Sequence, residues 1–406
     1  METDMRTRWL SLAGLATAIG IFIAVIPGKR GWFDVGVYYG TVHHWIGEGG
    51  QIYDYVRPGT HYGFTYPPFA TLCMLPMLLF TWHEAVAVSV MLTVVASALL
   101  LYWLVDPIAQ RLGWHRGLTF GVAACMFAVL EPVRDTVSFG QVNLLLVALV
   151  YLDLWLLGQS DERRSRWAGI GIGLAAAIKL TPAIFIGYLL LTKRWRAAAV
   201  ASGTAVAATL FAALVAPTQS LIYWTDALWD TNRIGVLAYV SNQSLQGVLS
   251  RLHPPTPGGI FWLTVSLAVL VVWAHRARRA AAEGDDRVGF ALTGITACLI
   301  SPITWVHHLV WLIPALIVLA DAGSRQLRTA AGMYLVLCSS IVWLWSVDYS
   351  GLDGFILGNA YAWIGLSLLF MLPVRERATV DIPRQRLVLQ SEITLHSSRR
   401  SVLSRR

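Results

Sequence analysis

The sequence predicts an all-α protein that crosses a membrane many times. The chain has 406 residues, of which 56% are hydrophobic and only 13% are charged, whereas soluble domains carry about 25% charged residues. Apolar runs of roughly the length that spans a bilayer recur along the chain. In such a protein the formal charge of +8 reports topology rather than a nucleic-acid partner.

The apolar runs predict about twelve membrane-spanning helices. The first run follows Arg6 and Arg8, is long for the core of a signal peptide, and precedes no A-x-A cleavage site, so we expect a retained helix. The predicted spans are 9–27, 84–105, 117–130, 141–158, 168–180, 181–192, 197–216, 260–274, 288–301, 309–320, 329–347 and 359–373.

A further apolar run, 67–80, begins with Pro67-Pro68 and contains Pro76. If it were a span, the arginine cluster at 163–166 and the polar segment 131–143 would lie on the wrong sides of the membrane. We therefore predict a re-entrant or interfacial helix, which is tolerable where protein covers it. Most of the 31 lysines and arginines then lie in cytoplasmic segments, together with both termini, in a plasma-membrane protein.

The predicted organisation is one membrane domain, 1–374, followed by a basic tail, 375–406. The long extracytoplasmic loops are 28–66 and 217–259. The tail is arginine-rich and shows no helical periodicity, so we expect a disordered cytoplasmic segment near anionic lipid.

Lys179 lies at the tip of a short predicted hairpin, in the sequence IKLTP (178–182). The short spans would leave its ammonium group partway into the membrane, which costs roughly 2.5–3.5 kcal/mol on insertion scales. Such a lysine is a candidate functional residue. The alternative is that it snorkels to the interface or pairs with a buried carboxylate.

The predicted external segments combine polar groups with aromatic rings. They read GWFDVGVYYGTVHHWIGEGG (31–50), YGFTYPP (62–68), EPVRDTVSFGQVN (131–143), IKLTP, VSNQSLQG (240–247) and SPITWVHH (301–308). Aromatic faces stack on sugar rings and amides bind hydroxyl groups, so this face is a candidate sugar site. For any single aromatic residue, membrane-interface solvation is an equally good explanation.

Metal and nucleotide motifs are lacking in the sequence. No P-loop occurs, no D-x-D falls in an external segment, and the histidine pairs His43-His44 and His307-His308 are adjacent rather than four residues apart. We therefore expect no metal ion and no cofactor.

The order of these motifs resembles glycosyltransferase family 87. The motifs are an external aspartate after the first span, TYPP (65–68), GQVN (140–143), IKLTP and SPITWVHH, and the resemblance covers about residues 8–373. It implies a GT-C membrane fold and a polyprenyl-phosphate-sugar donor. Within the family the pattern best fits the mycobacterial mannosyltransferases that form α-(1→2) linkages on phosphatidylinositol mannosides. It also implies Asp34 as the catalytic base, a functional Lys179, and a role for His307 or His308.

A lipid-phosphate sugar already carries its leaving group, so the enzyme must deprotonate an acceptor hydroxyl and stabilise the departing phosphate. We expect Asp34 to act as the base in a single inverting displacement; otherwise it is a turn or N-cap residue. A retaining reaction would need a second carboxylate about 5 Å away, from Glu131 or Asp135.

The expected ligand contacts follow from residue chemistry. Lys179, one of the two histidines and Arg134 are candidates for the phosphate, unless Arg134 pairs with Glu131 or Asp135. The candidates for sugar or acceptor binding are Tyr38, Tyr62, Tyr66, Trp305, Gln141 and Asn143, of which the last two are also candidate helix caps. The remaining alternatives are a lipomannan mannosyltransferase, an arabinofuranosyltransferase and a transporter of lipid-linked sugars; the lack of an inverted repeat argues against the transporter.

Overall fold

The structure is a computed structural model that describes residues 2–26, 30–230, 233, 235–252 and 258–374. The basic tail, 375–406, lies outside the described residues. Within those residues the chain is helical and forms no β-strand, only an isolated bridge between Val56 and Gly63. The all-α prediction is therefore confirmed.

Most helices follow one another closely, and the longest connections precede α3 and α13. The α-helices are α1 (Glu2–Val25), α2 (Phe33–Val42), α3 (Pro68–Met74), α4 (Trp82–Arg111), α5 (Arg116–Val129), α6 (Glu131–Phe139), α7 (Asn143–Leu157), α8 (Glu162–Ser165), α9 (Ile170–Ile178), α10 (Ile184–Leu191), α11 (Trp195–Val215), α12 (Pro217–Ile222), α13 (Leu245–Ser250), α14 (Gly258–Ala282), α15 (Asp286–Ile300), α16 (Ile313–Ala320), α17 (Ser324–Cys338), α18 (Gly351–Leu357) and α19 (Ala360–Met371). Tighter 3-10 turns occupy Leu75–Leu79, Thr181–Ala183, Val306–Leu312 and Ile341–Trp345, and wider π-helical turns occupy His43–Gly47 and Tyr223–Ala227.

The described helices support a multi-pass membrane protein. Four of them are long and apolar enough to cross a membrane, or up to six if each of two bent helix pairs is one span. The four are Met5–Val25, Trp82–Arg111, Trp195–Val215 and Gly259–Ala282, and the bent pairs are α5 with α6 and α18 with α19. Several apolar helices are shorter, among them Pro68–Leu79. The count of about twelve spans, the cytoplasmic termini and the re-entrant placement of 67–80 stay predictions.

The predicted span 329–347 differs from the structure. Helix α17 ends at Cys338, and Ser340 then takes a left-handed conformation with φ 56°. The chain continues as the 3-10 turn Ile341–Trp345. Hydropathy does not detect this break because both sides of it are apolar.

Helix α9 packs between α7 and α11 through glycines, and this packing positions the residue that follows it, Lys179. A Cβ on Gly171 would lie 2.0 Å from the carbonyl oxygen of Leu149 in α7, and one on Gly173 would lie 2.5 Å from that of Ala201 in α11. Small residues allow this close approach of helix backbones. At its N-terminus, α9 donates the Ile172 amide to the buried carboxylate of Asp153 at 2.7 Å.

This packing predicts that Gly171→Ala destabilises the protein. The added methyl group would overlap a backbone carbonyl that cannot move freely, and overpacking costs about 1–3 kcal/mol. Gly203 in α11 is the matched control, because nothing lies within 4 Å of its Cβ position. Gly203→Ala should be neutral or stabilising, since alanine is the better helix former. Melting temperatures of the detergent-solubilised variants check this, and equal values would contradict it.

Candidate active site

Extracytoplasmic segments predicted from the sequence converge on a cavity of about 490 Å³. The cavity is lined by residues from α2, the 62–67 segment, the α6–α7 junction, the turn after α9 and the 301–308 segment. Of the predicted site residues, the cavity brings together Asp34, Tyr38, Tyr62, Tyr66, Gln141, Lys179, Trp305, His307 and His308. Arg134 and Asn143 are not among its lining residues.

Asp34 lies in the first turn of α2, where the backbone is held from two sides. Gly31 and Trp32 are both left-handed, with φ 61° and 54°, a conformation that is uncommon for a residue with a bulky side chain. The Trp32 amide donates to the Ser138 carbonyl at 2.9 Å. The Arg57 guanidinium donates to the carbonyls of Trp32 and Phe33. The strained turn is thus stabilised by its neighbours.

The environment of the Asp34 carboxylate makes it a stronger base than an exposed aspartate. Its Oδ2 atom is buried and has no hydrogen-bond partner among the described residues. Burial raises the pKa of Asp34 to about 7, against the opposing effects of a Gln141 hydrogen bond and the charges of Lys179 and Arg57. Asp34 is the only carboxylate among the described residues that line the cavity. A base with a pKa near neutrality suits proton abstraction at physiological pH.

Lys179 contacts several polar and aromatic side chains. Its Nζ donates to Asn143 Oδ1 at 3.1 Å, lies 3.0 Å from His308 Nε2, and sits 5.0 Å from the centre of the Tyr66 ring. The Tyr66 hydroxyl donates to Gln141 Oε1 at 2.9 Å and lies 3.1 Å from the Tyr38 hydroxyl. Asn143 therefore contacts the lysine and not the cavity.

The two adjacent histidines both line the cavity but differ in environment. The Trp305 amide donates to His308 Nδ1 at 3.1 Å, so the neutral ring carries its proton on Nε2, facing Lys179. Neither ring nitrogen of His307 has a hydrogen-bond partner among the described residues. The His307 ring instead contacts Phe139, with ring centres 5.0 Å apart.

The remaining predicted candidates, one arginine and two carboxylates, make structural contacts and lie outside the cavity lining. Arg134 donates to the carbonyls of Val129 and Cys338 at 3.0 and 2.9 Å, so its charge is directed at the end of α17. Asp135 pairs with Arg30 at 3.3 Å. Glu131 accepts hydrogen bonds from Trp343 and Tyr361. Glu131 and Asp135 lie outside the set of lining residues.

Sequence reasoning missed several lining residues. Arg30, Tyr239 and Trp343 line the cavity, and Arg57 supports Asp34 from outside it. Arg30 could have been noticed as a cation directly after the first span. For Trp343 there was no signal, because it lies within an apolar run.

The chain is similar to known glycosyltransferases. The model of glycosyltransferase family 87 matches residues 64–302, which include Tyr66, Gln141 and Lys179. A polyprenol-phosphate-mannose-dependent alpha-(1-2)-phosphatidylinositol mannoside mannosyltransferase of Mycobacterium tuberculosis is 32% identical over 337 residues, 79% of this chain and 74% of the relative. A protein of the same name in Mycolicibacterium smegmatis is 30% identical over 399 residues, which are 89% of this chain and 88% of the relative.

A relative with lower identity is named for a different activity. An alpha-(1->3)-arabinofuranosyltransferase of Corynebacterium glutamicum is 26% identical over 340 residues, 80% of this chain and 77% of the relative. No solved structure gives a significant match.

Proposed function

Because the chain belongs to glycosyltransferase family 87, we propose that it transfers mannose from a polyprenyl-phosphate-mannose donor to a mannosyl hydroxyl of a phosphatidylinositol mannoside. The product linkage is α-(1→2), and the reaction takes place on the extracytoplasmic side of the plasma membrane. The observation that carries the proposal is that the Asp34 carboxylate and the Lys179 side chain line the same cavity. The activities for which two relatives are named support the choice of sugar, acceptor and linkage.

In the proposed reaction Asp34 removes the proton from the acceptor hydroxyl. The hydroxyl oxygen attacks the anomeric carbon, and the bond from that carbon to the phosphate oxygen breaks. With one carboxylate among the described lining residues, a single displacement with inversion is the simplest course. A β-linked donor then gives an α-linked product.

The Lys179–His308 pair is proposed to bind the phosphate. A charged ammonium and the Nε2–H of a neutral imidazole are both donors, yet their nitrogens are 3.0 Å apart. An anionic oxygen held between them would accept from both. The same contacts would strengthen as negative charge develops on the leaving phosphate, which is how such donors lower a barrier.

The test is an assay of mannose transfer in membranes that contain the expressed chain. We expect radiolabel to pass from polyprenyl-phosphate-mannose to an added phosphatidylinositol mannoside, and an α-(1→2)-specific mannosidase to release it. No group of three or more His, Cys, Asp or Glu side chains in the described part of the chain is arranged for a metal, and we propose that activity persists in EDTA. Transfer from a polyprenyl-phosphate-arabinofuranose donor, with none from the mannose donor, would contradict the proposal.

The pH profile tests the role of Asp34. Because the base must be ionised, kcat/KM should fall about tenfold per pH unit below a pKa of about 7. Arg57→Gln removes a positive charge that favours the carboxylate, so this variant should move the acid limb to higher pH. Arg57→Lys keeps the charge and is the control. A limb that stays near pH 4, where an exposed aspartate titrates, would contradict the assignment.

A further inference from the structure

A series of hydrogen-bonded polar side chains ends at the proposed base. The hydroxyl oxygens of Tyr38 and Tyr66 lie 3.1 Å apart, and the Tyr66 hydroxyl donates to Gln141 Oε1 at 2.9 Å. Burial raises the pKa of Asp34, and a hydrogen bond from Gln141 opposes that rise. Tyr38, Tyr66 and Gln141 are all buried, and we call these three residues the tyrosine–glutamine series.

The donors and acceptors of the tyrosine–glutamine series agree in only one direction. An ionised carboxylate can only accept hydrogen bonds, so Gln141 must give Asp34 an N–H of its side-chain amide. The oxygen of that amide is then left to accept from the Tyr66 hydroxyl. Because this hydroxyl has a single proton, its oxygen accepts from Tyr38 and from the Lys179 ammonium, which lies 3.5 Å away. Turning the amide over would leave a buried acceptor facing the carboxylate, which is costly.

The backbone fixes the position from which Gln141 reaches Asp34. Gly140 follows the last residue of α6 in a left-handed conformation, with φ 70°. The backbone N–H of Gln141 then donates to the Thr136 carbonyl at 2.9 Å, a common way to close a helix end. A Cβ on Gly140 would lie 2.0 Å from Val35 Cγ2. The turn therefore packs directly against the residue that follows Asp34.

The hydrogen-bonding capacity of the Tyr66 hydroxyl is used within the protein. A hydroxyl has one donor and two acceptor sites, and Gln141, Tyr38 and Lys179 provide a partner for each. A sugar hydroxyl could bind the Tyr66 oxygen only by displacing one of these partners. The Oδ2 atom of Asp34, in contrast, has no partner in the part of the chain that the structure describes. The acceptor that stays available to a substrate is therefore on the base itself.

We propose that Tyr66 and Gln141 are positioning residues for the base, in place of the sugar-binding role predicted for both. The Tyr66 hydroxyl fixes the Gln141 amide with its N–H towards Asp34. This contact holds the carboxylate so that Oδ2 is left to accept the proton of the acceptor hydroxyl. A base held in advance in its reactive geometry loses less entropy on reaching the transition state. This inference rests on the proposed function.

The test measures mannose transfer by Tyr66→Phe and Gln141→Met, at pH 8 and across a range of pH. Each variant removes one polar group and keeps a side chain of similar size. Each should lower kcat about tenfold, the effect that one hydrogen bond commonly has, with KM for the phosphatidylinositol mannoside unchanged. Because Gln141 opposes the effect of burial on the pKa of Asp34, both variants should also move the acid limb of kcat/KM to higher pH.

The double variant distinguishes one shared action from two separate contacts. If Tyr66 acts through Gln141, the double variant should lose no more activity than Gln141→Met alone. Losses that multiply would overturn the inference. A higher KM with unchanged kcat would also overturn it, because the two residues would then be ligands of the sugar.

Tyr39→Phe is the matched control, because Tyr39 lies on the same helix as Asp34 but does not line the cavity. Its hydroxyl donates to the Phe80 carbonyl at 3.2 Å, so its kinetics and pH profile should equal those of the wild-type protein. Melting temperatures establish which variants are folded, and either single variant suffices for the KM and pH measurements. Wild-type kinetics in a folded Tyr66→Phe or Gln141→Met would overturn the inference. Failure of the wild-type protein to transfer mannose would instead contradict the proposed function.

Discussion

Asp34→Asn is expected to lower the rate of mannose transfer by about 10²- to 10⁴-fold, the usual contribution of a general base. The amide has the size and shape of the carboxylate, so the cavity and the first turn of α2 should persist. It cannot accept the proton of the acceptor hydroxyl. Transfer assays on purified protein, with equal amounts of folded enzyme, measure the loss.

The same substitution should not destabilise the fold. The pKa of Asp34 in the folded protein is raised to about 7 by burial, well above its value in an unfolded chain. Ionisation therefore favours the unfolded state, and this cost is present above pH 7 and disappears as the carboxyl becomes protonated at lower pH. Removing the charge should leave the melting temperature at pH 8 equal or higher, as is common where function opposes stability.

Asp54→Asn is the matched control, because Asp54 lies in the same predicted loop, 28–66, is exposed and does not line the cavity. Its activity and melting temperature should equal those of the wild-type protein. Substantial turnover by Asp34→Asn would remove Asp34 as the base.

The sequence identified the residues whose chemistry is unusual for their place in a membrane protein. Lys179 stood out because an ammonium is costly partway into a bilayer, and Asp34 stood out through the family resemblance; both line the cavity. The sequence does not show in which direction a side chain points, so it cannot identify a residue whose role depends on that direction. Arg30 and Arg134 illustrate this, since both are predicted external arginines.

These two arginines differ in their contacts with residues that are distant in sequence. Helix α17 ends beside Arg134 and presents the Cys338 carbonyl to it, 204 residues away in sequence. Arg30 meets Trp343 and Asp135 and stays at the cavity. These partners depend on where α17 breaks, and a hydropathy pattern does not predict that break. Trp343, which lies just beyond this break, was therefore the part of the cavity lining that sequence reasoning could not find.

Lys179→Met is expected to lower kcat with polyprenyl-phosphate-mannose by about 10²- to 10³-fold, as the loss of one preorganised donor to a developing charge does. The protein should remain folded, because methionine removes a buried charge and keeps the length of the side chain. Lys193→Met is the matched control: Lys193 is exposed and does not line the cavity.

A change of donor separates the role of Lys179 from that of Asp34. If Lys179 stabilises the departing phosphate, its loss should matter little with β-mannosyl fluoride, whose leaving group needs no phosphate contact. Asp34→Asn should remain inactive with both donors, because the acceptor hydroxyl must lose its proton in either case. His308→Asn combined with Lys179→Met should cost less than the sum of the two single effects, since both donors are proposed to act on one oxygen. An equal loss with both donors in Lys179→Met would place the lysine elsewhere in the reaction, on the sugar or the acceptor.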